Sequence, residues 1–248
     1  FPTIAQMTSL LADHSARVSD TSLIVPLRVG GSRQPFFLVH PVSGDLYSYL
    51  SLARYLSQDR PIYGIQAQGL LDGQEPVTGI EEMARIYVDA LLRVQPEGPY
   101  ILGGHSLGGL IALEMARYLQ AQGRIVSLLV LMDSVFSLEN NVGADMFDET
   151  QWVIEIMRTL ELYRGQPGRS LMMSYTELQC MDTEDQLRYL LEYVKAAQVV
   201  PLETDLAALR RLIRVVRANA NSQRNYHPRE IYQGGIVFLT GEGQEHNA

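Results

Sequence analysis

Ser106 stands in a setting that fits a serine for nucleophilic chemistry. Gly104-His105-Ser106-Leu107-Gly108 reads as G-x-S-x-G. A serine that must project from a sheet needs a sharp strand-to-helix turn, and glycines two residues away on each side let the neighbouring backbone pass without a Cβ clash. Such a short pattern also arises by chance, so its context decides. The apolar run Tyr100-Ile101-Leu102 precedes it, an amphipathic helix from about residue 108 to 121 follows, and Gly109 adds a small residue where helix meets strand. The chemistry this predicts is acyl transfer, with the serine hydroxyl attacking a carbonyl after a base takes its proton. The helix that opens after Ser106 directs free N–H groups and its positive end at the reacting centre, so the Leu107 N–H is the first expected oxyanion donor.

A second donor belongs on the loop after an early strand. His40-Pro41-Val42-Ser43-Gly44 follows the apolar run at residues 36–39. Pro41 has no N–H, so the Val42 N–H is the candidate. His40 precedes the serine, against the Ser…Asp/Glu…His order of such sites, and is read as structural. His105 is expected to point into the core. Asp133 ends the apolar run at residues 127–132, which places it at the carboxyl edge of a strand on the same rim as Ser106. It is the expected acid, orienting the base. Cys180 is expected to be an inert, partly buried thiol.

These groups need a scaffold, and the hydrophobic pattern describes one. Short all-apolar runs at residues 36–39, 62–65, 100–102, 126–132 and 236–239 alternate with helical spacing at residues 46–56, 80–94 and 108–121. That pattern predicts an α/β protein with a mostly parallel sheet covered on both faces. Residues 23–29 read as a strand that Pro26 confines to an edge. Between Asp133 and Ile236 the alternation gives way to helices alone. Trp152, Ile156 and Leu160 mark one; Leu187, Leu190, Leu191 and Val194 a second; Leu206, Leu209, Ile213 and Val216 a third. An insertion at that point is expected to form a lid over the carboxyl ends of the strands. Met146, Met157, Met172, Met173 and Met181 fall within it and suit an adaptable apolar surface, although packing of the lid accounts for most of them.

The 248 residues carry a net charge of −8 and are 46% hydrophobic, enough for one large core. The acidic balance argues against a nucleic-acid surface or a polybasic membrane anchor, and the single cysteine excludes an internal disulfide. No apolar run approaches the ~18 residues of a membrane span, so a cytoplasmic protein is expected.

The stretch Gly98-Pro99-Tyr100-Ile101-Leu102-Gly103-Gly104-His105-Ser106-Leu107-Gly108-Gly109, then Glu114-Met115-Ala116, Gly123 and Leu131-Met132-Asp133, resembles the type I thioesterase domain of nonribosomal peptide synthetases and polyketide synthases. Pro35 to Pro41 and Tyr63-Gly64-Ile65-Gln66 are similar to its earlier signature segments. The resemblance implies an α/β-hydrolase fold with a helical lid insertion at about residues 140–222. It implies Ser106 as nucleophile, Asp133 as acid, and Val42 and Leu107 as oxyanion donors. Residues 1–13 look like the last helix of a carrier domain, with residues 14–22 as linker and 23–248 as the thioesterase domain. No cofactor or metal is expected to bind directly. An upstream acyl or peptidyl carrier domain is the implied partner, its phosphopantetheine arm delivering the chain for hydrolysis or macrocyclisation.

The resemblance also calls for a histidine after a strand beyond Asp133. His227 precedes the last strand and falls at the wrong edge of the sheet. His246 follows that strand on the correct rim, but the family places its histidine a helix and a strand later. The catalytic histidine is therefore expected beyond Ala248, with the chain a piece of a longer one, and His246 is the lesser candidate. The competing readings are a stand-alone editing thioesterase, a carboxylesterase acting on diffusible esters, and a non-catalytic hydrolase-like binding module.

Overall fold

The computed structural model describes residues 23–134, 149–163, 175–196, 200–228 and 231–241. The expected carrier helix and linker, Met146, Met172, Met173 and His246 lie outside the described residues. The described chain falls into two compact units. One holds the sheet, with residues 23–134, 214–228 and 231–241; the other holds the helices between residues 149 and 213.

The first unit is built on six strands: β1 (Ile24–Arg28), β2 (Phe36–Val39), β3 (Ile62–Ile65), β4 (Tyr100–His105), β5 (Val126–Met132) and β6 (Ile236–Leu239). Their order is β1-β3-β2-β4-β5-β6. All neighbours are parallel except β1, which runs antiparallel to β3 on one edge. Pro26 thus sits on an edge strand, where its missing N–H breaks no central ladder.

Three helices cover this sheet: α1 (Tyr47–Tyr55), α2 (Ile80–Val94) and α3 (Leu107–Ala121). Alternation along the central strands explains why they are apolar throughout. Phe37, Val39 and Leu102 pack on one face with Met83, Tyr87 and Leu91 of α2 and with α3. Phe36, Leu38 and Ile101 pack on the other with Tyr49 and Ala53 of α1. Burial on both faces leaves no position for a polar side chain. Arg28, on the edge strand, closes the end of α1: its guanidinium donates to the carbonyl of Ala53 in the last turn and to those of Leu56, Ser57 and Arg60 in the chain that follows. The last strand, β6, is different, because Val237, Phe238 and Leu239 are exposed.

The second unit is helical: α4 (Glu149–Tyr163), α5 (Tyr175–Gln179), α6 (Thr183–Ala196) and the first half of α7 (Leu206–Arg224). Asp182 and Asp205 start α6 and α7 by accepting the N–H groups of Asp185 and Ala208 at 2.9 and 2.7 Å, as N-cap residues do. Val153, Met157, Leu187, Leu190, Leu191, Leu209 and Ile213 form its core. Met157 is fully buried there and Met181 packs at its margin, so both serve packing. Helical spacing puts Val216 on the buried face of α7, but Val215 is the buried residue and Val216 only half-buried. From residue 214 onward α7 belongs to the sheet unit, and a new partner sets a new face. The short α5 is too brief to leave a periodic signal in the sequence. Cys180, which follows it, is exposed rather than partly buried. Among the described residues, no helix is long and apolar enough to cross a membrane.

Candidate active site

Among the described residues, the non-glycine positions with positive φ are Ser106 (φ 55) and Asp133 (φ 45). Each such conformation costs about 1–3 kcal/mol and persists only where the surroundings enforce it. The surroundings here are the tips of adjacent strands. Ser106, between the end of β4 and the start of α3, donates its N–H to Met132 O at 2.8 Å. Asp133, directly after β5, donates its N–H to Leu239 O of β6, also at 2.8 Å. The register that pairs His105 with Met132 and Met132 with Leu239 therefore sets Ser106 and Asp133 side by side on one rim.

The glycines of the elbow exclude side chains for separate reasons. A Cβ on Gly104 would overlap the backbone of Gly108, one on Gly108 would overlap the carbonyls of Val39 and His40, and one on Gly109 would strike Ser134 Oγ. The first turn of α3 is thereby pressed against the tip of β2. Leu107 is the first residue of that helix, so its N–H has no intrahelical acceptor. Val42 lies in the turn beyond the β2 tip, which Gly44 closes by donating its N–H to Pro41 O at 2.9 Å. Gly44 has φ 82 and packs so tightly on Val215 and Ala67 that a side chain there would overlap both. Asn219 of α7, 2% exposed, donates from Nδ2 to Val42 O at 3.0 Å. That clamp was not legible in the sequence, since a lone asparagine in a helix carries no motif.

The carboxylate of Asp133 is held by the Gly241 N–H, which donates to Oδ1 at 2.8 Å. Its Oδ2 lies 4.0 Å from His105 Nε2. His105 was expected to point into the core, and the structure corrects this: it is the last residue of β4, is only partly buried, and turns toward the acid. Partial burial lowers its pKa, against the raising pull of Asp133.

His40 is wholly buried, as a structural residue should be. Its Nδ1 lies 2.8 Å from Pro41 O, which can only accept, so Nδ1 carries the proton and Nε2 accepts from the Tyr87 hydroxyl at 2.7 Å. Burial drives its pKa down to about 4, so the ring is neutral at pH 7. His227 is exposed, bonds the Asn225 carbonyl, and precedes β6 in the chain. No group of three or more His, Cys, Asp or Glu that could hold a metal ion occurs among the described residues.

A mostly parallel sheet with helices on both faces and a strained serine between strand and helix defines an α/β hydrolase. Residues 34–247 match the model of the thioesterase domain, and the chain belongs to that family. It is 43% identical over 134 residues to malpinin synthetase of Mortierella alpina, a match covering 54% of this chain and 2% of that protein. It is 39% identical over 147 residues to polyketide synthase PksR of Bacillus subtilis, covering 55% and 6% respectively. The crystal structure of a four-domain nonribosomal peptide synthetase in its holo form, bound to AMP and glycine, superposes with a TM-score of 0.82 at 27% identity, over 99% of this chain and 18% of that one. The chain thus spans only a small part of the proteins it resembles.

Proposed function

We propose that the protein is the chain-releasing thioesterase of a modular synthase, taking an acyl or peptidyl chain from a carrier-bound phosphopantetheine thioester onto Ser106. The observation that carries this reading is the positive φ of Ser106 at a glycine-packed strand-to-helix turn. Membership of the thioesterase family supports a thioester as the group attacked, and the synthetases and synthase it resembles support a carrier as its source.

In this mechanism a base removes the Ser106 hydroxyl proton as Oγ attacks the thioester carbonyl. The Leu107 and Val42 N–H groups stabilise the oxyanion, a donor of this kind being worth about 3 kcal/mol. The C–S bond breaks, the thiol leaves with the proton the base gives up, and an acyl-serine remains. Water or a nucleophile within the chain then releases the product as an acid or a macrocycle. Asp133 orients the base and stabilises its protonated form. The base is a histidine C-terminal to β6, either one beyond Ala248 or His246. The same reading assigns residues 1–13 to the end of a carrier domain, 14–22 to a linker and about 140–222 to a lid, in a cytoplasmic enzyme.

Ser106→Ala tests the assignment. It is expected to abolish both covalent labelling by a serine-directed fluorophosphonate and hydrolysis of an acyl N-acetylcysteamine thioester, while the thermal melt stays unchanged. Labelling of the variant at the parent rate would sink it.

A further inference from the structure

Tyr49 lies in the first turn of α1 and is 2% exposed, in the cluster that includes Leu38, Ala53 and Ile101. A buried phenol needs partners for its hydroxyl, and those of Tyr49 are specific. The hydroxyl donates to Val39 O at 2.5 Å and accepts the His105 N–H at 2.8 Å. Val39 and Gly104 form the last pair between β2 and β4, so the phenol joins the two strands where their shared register ends.

Both strand tips lead straight into the site. His105 is succeeded in the chain by Ser106 and Leu107, and Val39 opens into the turn that carries Val42. The Val39 carbonyl is also one of the groups against which Gly108 packs without room for a Cβ. One hydroxyl therefore holds the carbonyl that seats the first turn of α3 and the amide that precedes the nucleophile.

We propose that Tyr49 is a positioning residue that fixes the distance between the two oxyanion donors, the N–H groups of Leu107 and Val42. It touches no reacting atom and acts through the strand tips. The proposal rests on the reading of Ser106, Leu107 and Val42 given above. The aromatic ring is anchored by its packing, so the hydroxyl is held from a rigid base. Donors placed in advance need no reorganisation as charge develops on the substrate oxygen, and a small displacement weakens them in the transition state far more than it weakens ground-state binding.

Tyr49→Phe keeps the ring and removes the shared hydroxyl. Tyr226→Phe is the matched control: Tyr226 is also buried and its hydroxyl bonds the Glu114 carboxylate, away from the strand tips. With an octanoyl N-acetylcysteamine thioester as probe, Tyr49→Phe is expected to lower kcat about ten- to a hundredfold with KM within about twofold. Amide hydrogen exchange at His105 and Leu107 should quicken in the same variant. Tyr226→Phe should lose thermal stability while keeping kcat and the exchange at those two amides. The proposal is overturned if Tyr49→Phe keeps the parent kcat, or if both variants lose kcat in step with stability. Equal turnover by the parent and Ser106→Ala overturns the site reading instead. Exchange at His105 still reports then, and an unchanged rate shows that Tyr49 does not hold the strand tip.

Discussion

The carboxylate of Asp133 accepts the N–H of Gly241 at 2.8 Å, although 108 positions separate the two in sequence. The chain leaving β6 is thereby tied to the acid on the rim where Ser106 stands. Asparagine at position 133 still offers an oxygen to Gly241 but no charge to a neighbouring imidazolium. Asp133→Asn is therefore expected to leave the melting temperature within a few degrees of the parent, while kcat falls about ten-thousandfold, as when a triad histidine is held in the wrong tautomer. Thioester turnover and a thermal melt measure both, and a kcat within tenfold of the parent would remove Asp133 from the mechanism.

Asn219 offers a second test, since it touches the Val42 carbonyl rather than any reacting atom. Asn219→Ala removes the donor and should cost about 1–2 kcal/mol in a urea unfolding curve. Asn219→Asp sets a carboxylate oxygen against a carbonyl oxygen and should be worse on both stability and kcat. If the two variants rank the other way, the clamp on the turn is not the function of this side chain.

The neutral, buried His40 makes a prediction about pH. Its folded pKa, about 4, lies below the ordinary value of 6.5, so between those values the unfolded chain binds a proton that the folded one refuses. Its contribution is fully present above pH 6.5 and is lost as the pH falls toward 4, about 3 kcal/mol in all. Stability measured by urea titration across that window should fall more steeply for the parent than for His40→Gln, by one proton's worth. Parallel slopes would mean that His40 titrates in the fold as it does in water.

Much of the scaffold was legible in the sequence for a simple reason. Strands buried on both faces read as short apolar runs, as residues 36–39 do in β2, and the runs at residues 62–65, 126–132 and 236–239 coincide with β3, β5 and β6, although β6 itself is exposed. Ser106 and Asp133 were legible because a motif and a strand end fixed their places. What failed depended on neighbours. Helical spacing carries one period through α7, but its partner changes after Ile213, so Val215 is buried in place of Val216. His105 ends its strand, where cover on the sheet runs out, and alternation alone could not show it turning to Asp133. Tyr49 was recognisable as a packing residue of a helix, while its hydroxyl partners are set by two strand tips that meet only in the folded chain.

The elbow glycines also limit how this segment can diverge. Gly104 is closed by the first turn of α3, Gly108 by the tip of β2 and Gly109 by the side chain of Ser134, so no single compensating change relaxes all three. Leu107 is wholly buried. That leaves His105 as the position beside the serine where evolution can exchange a side chain without rebuilding the backbone. A side chain at any of these three glycines would therefore require the tips of β2 and β4 or the start of α3 to move.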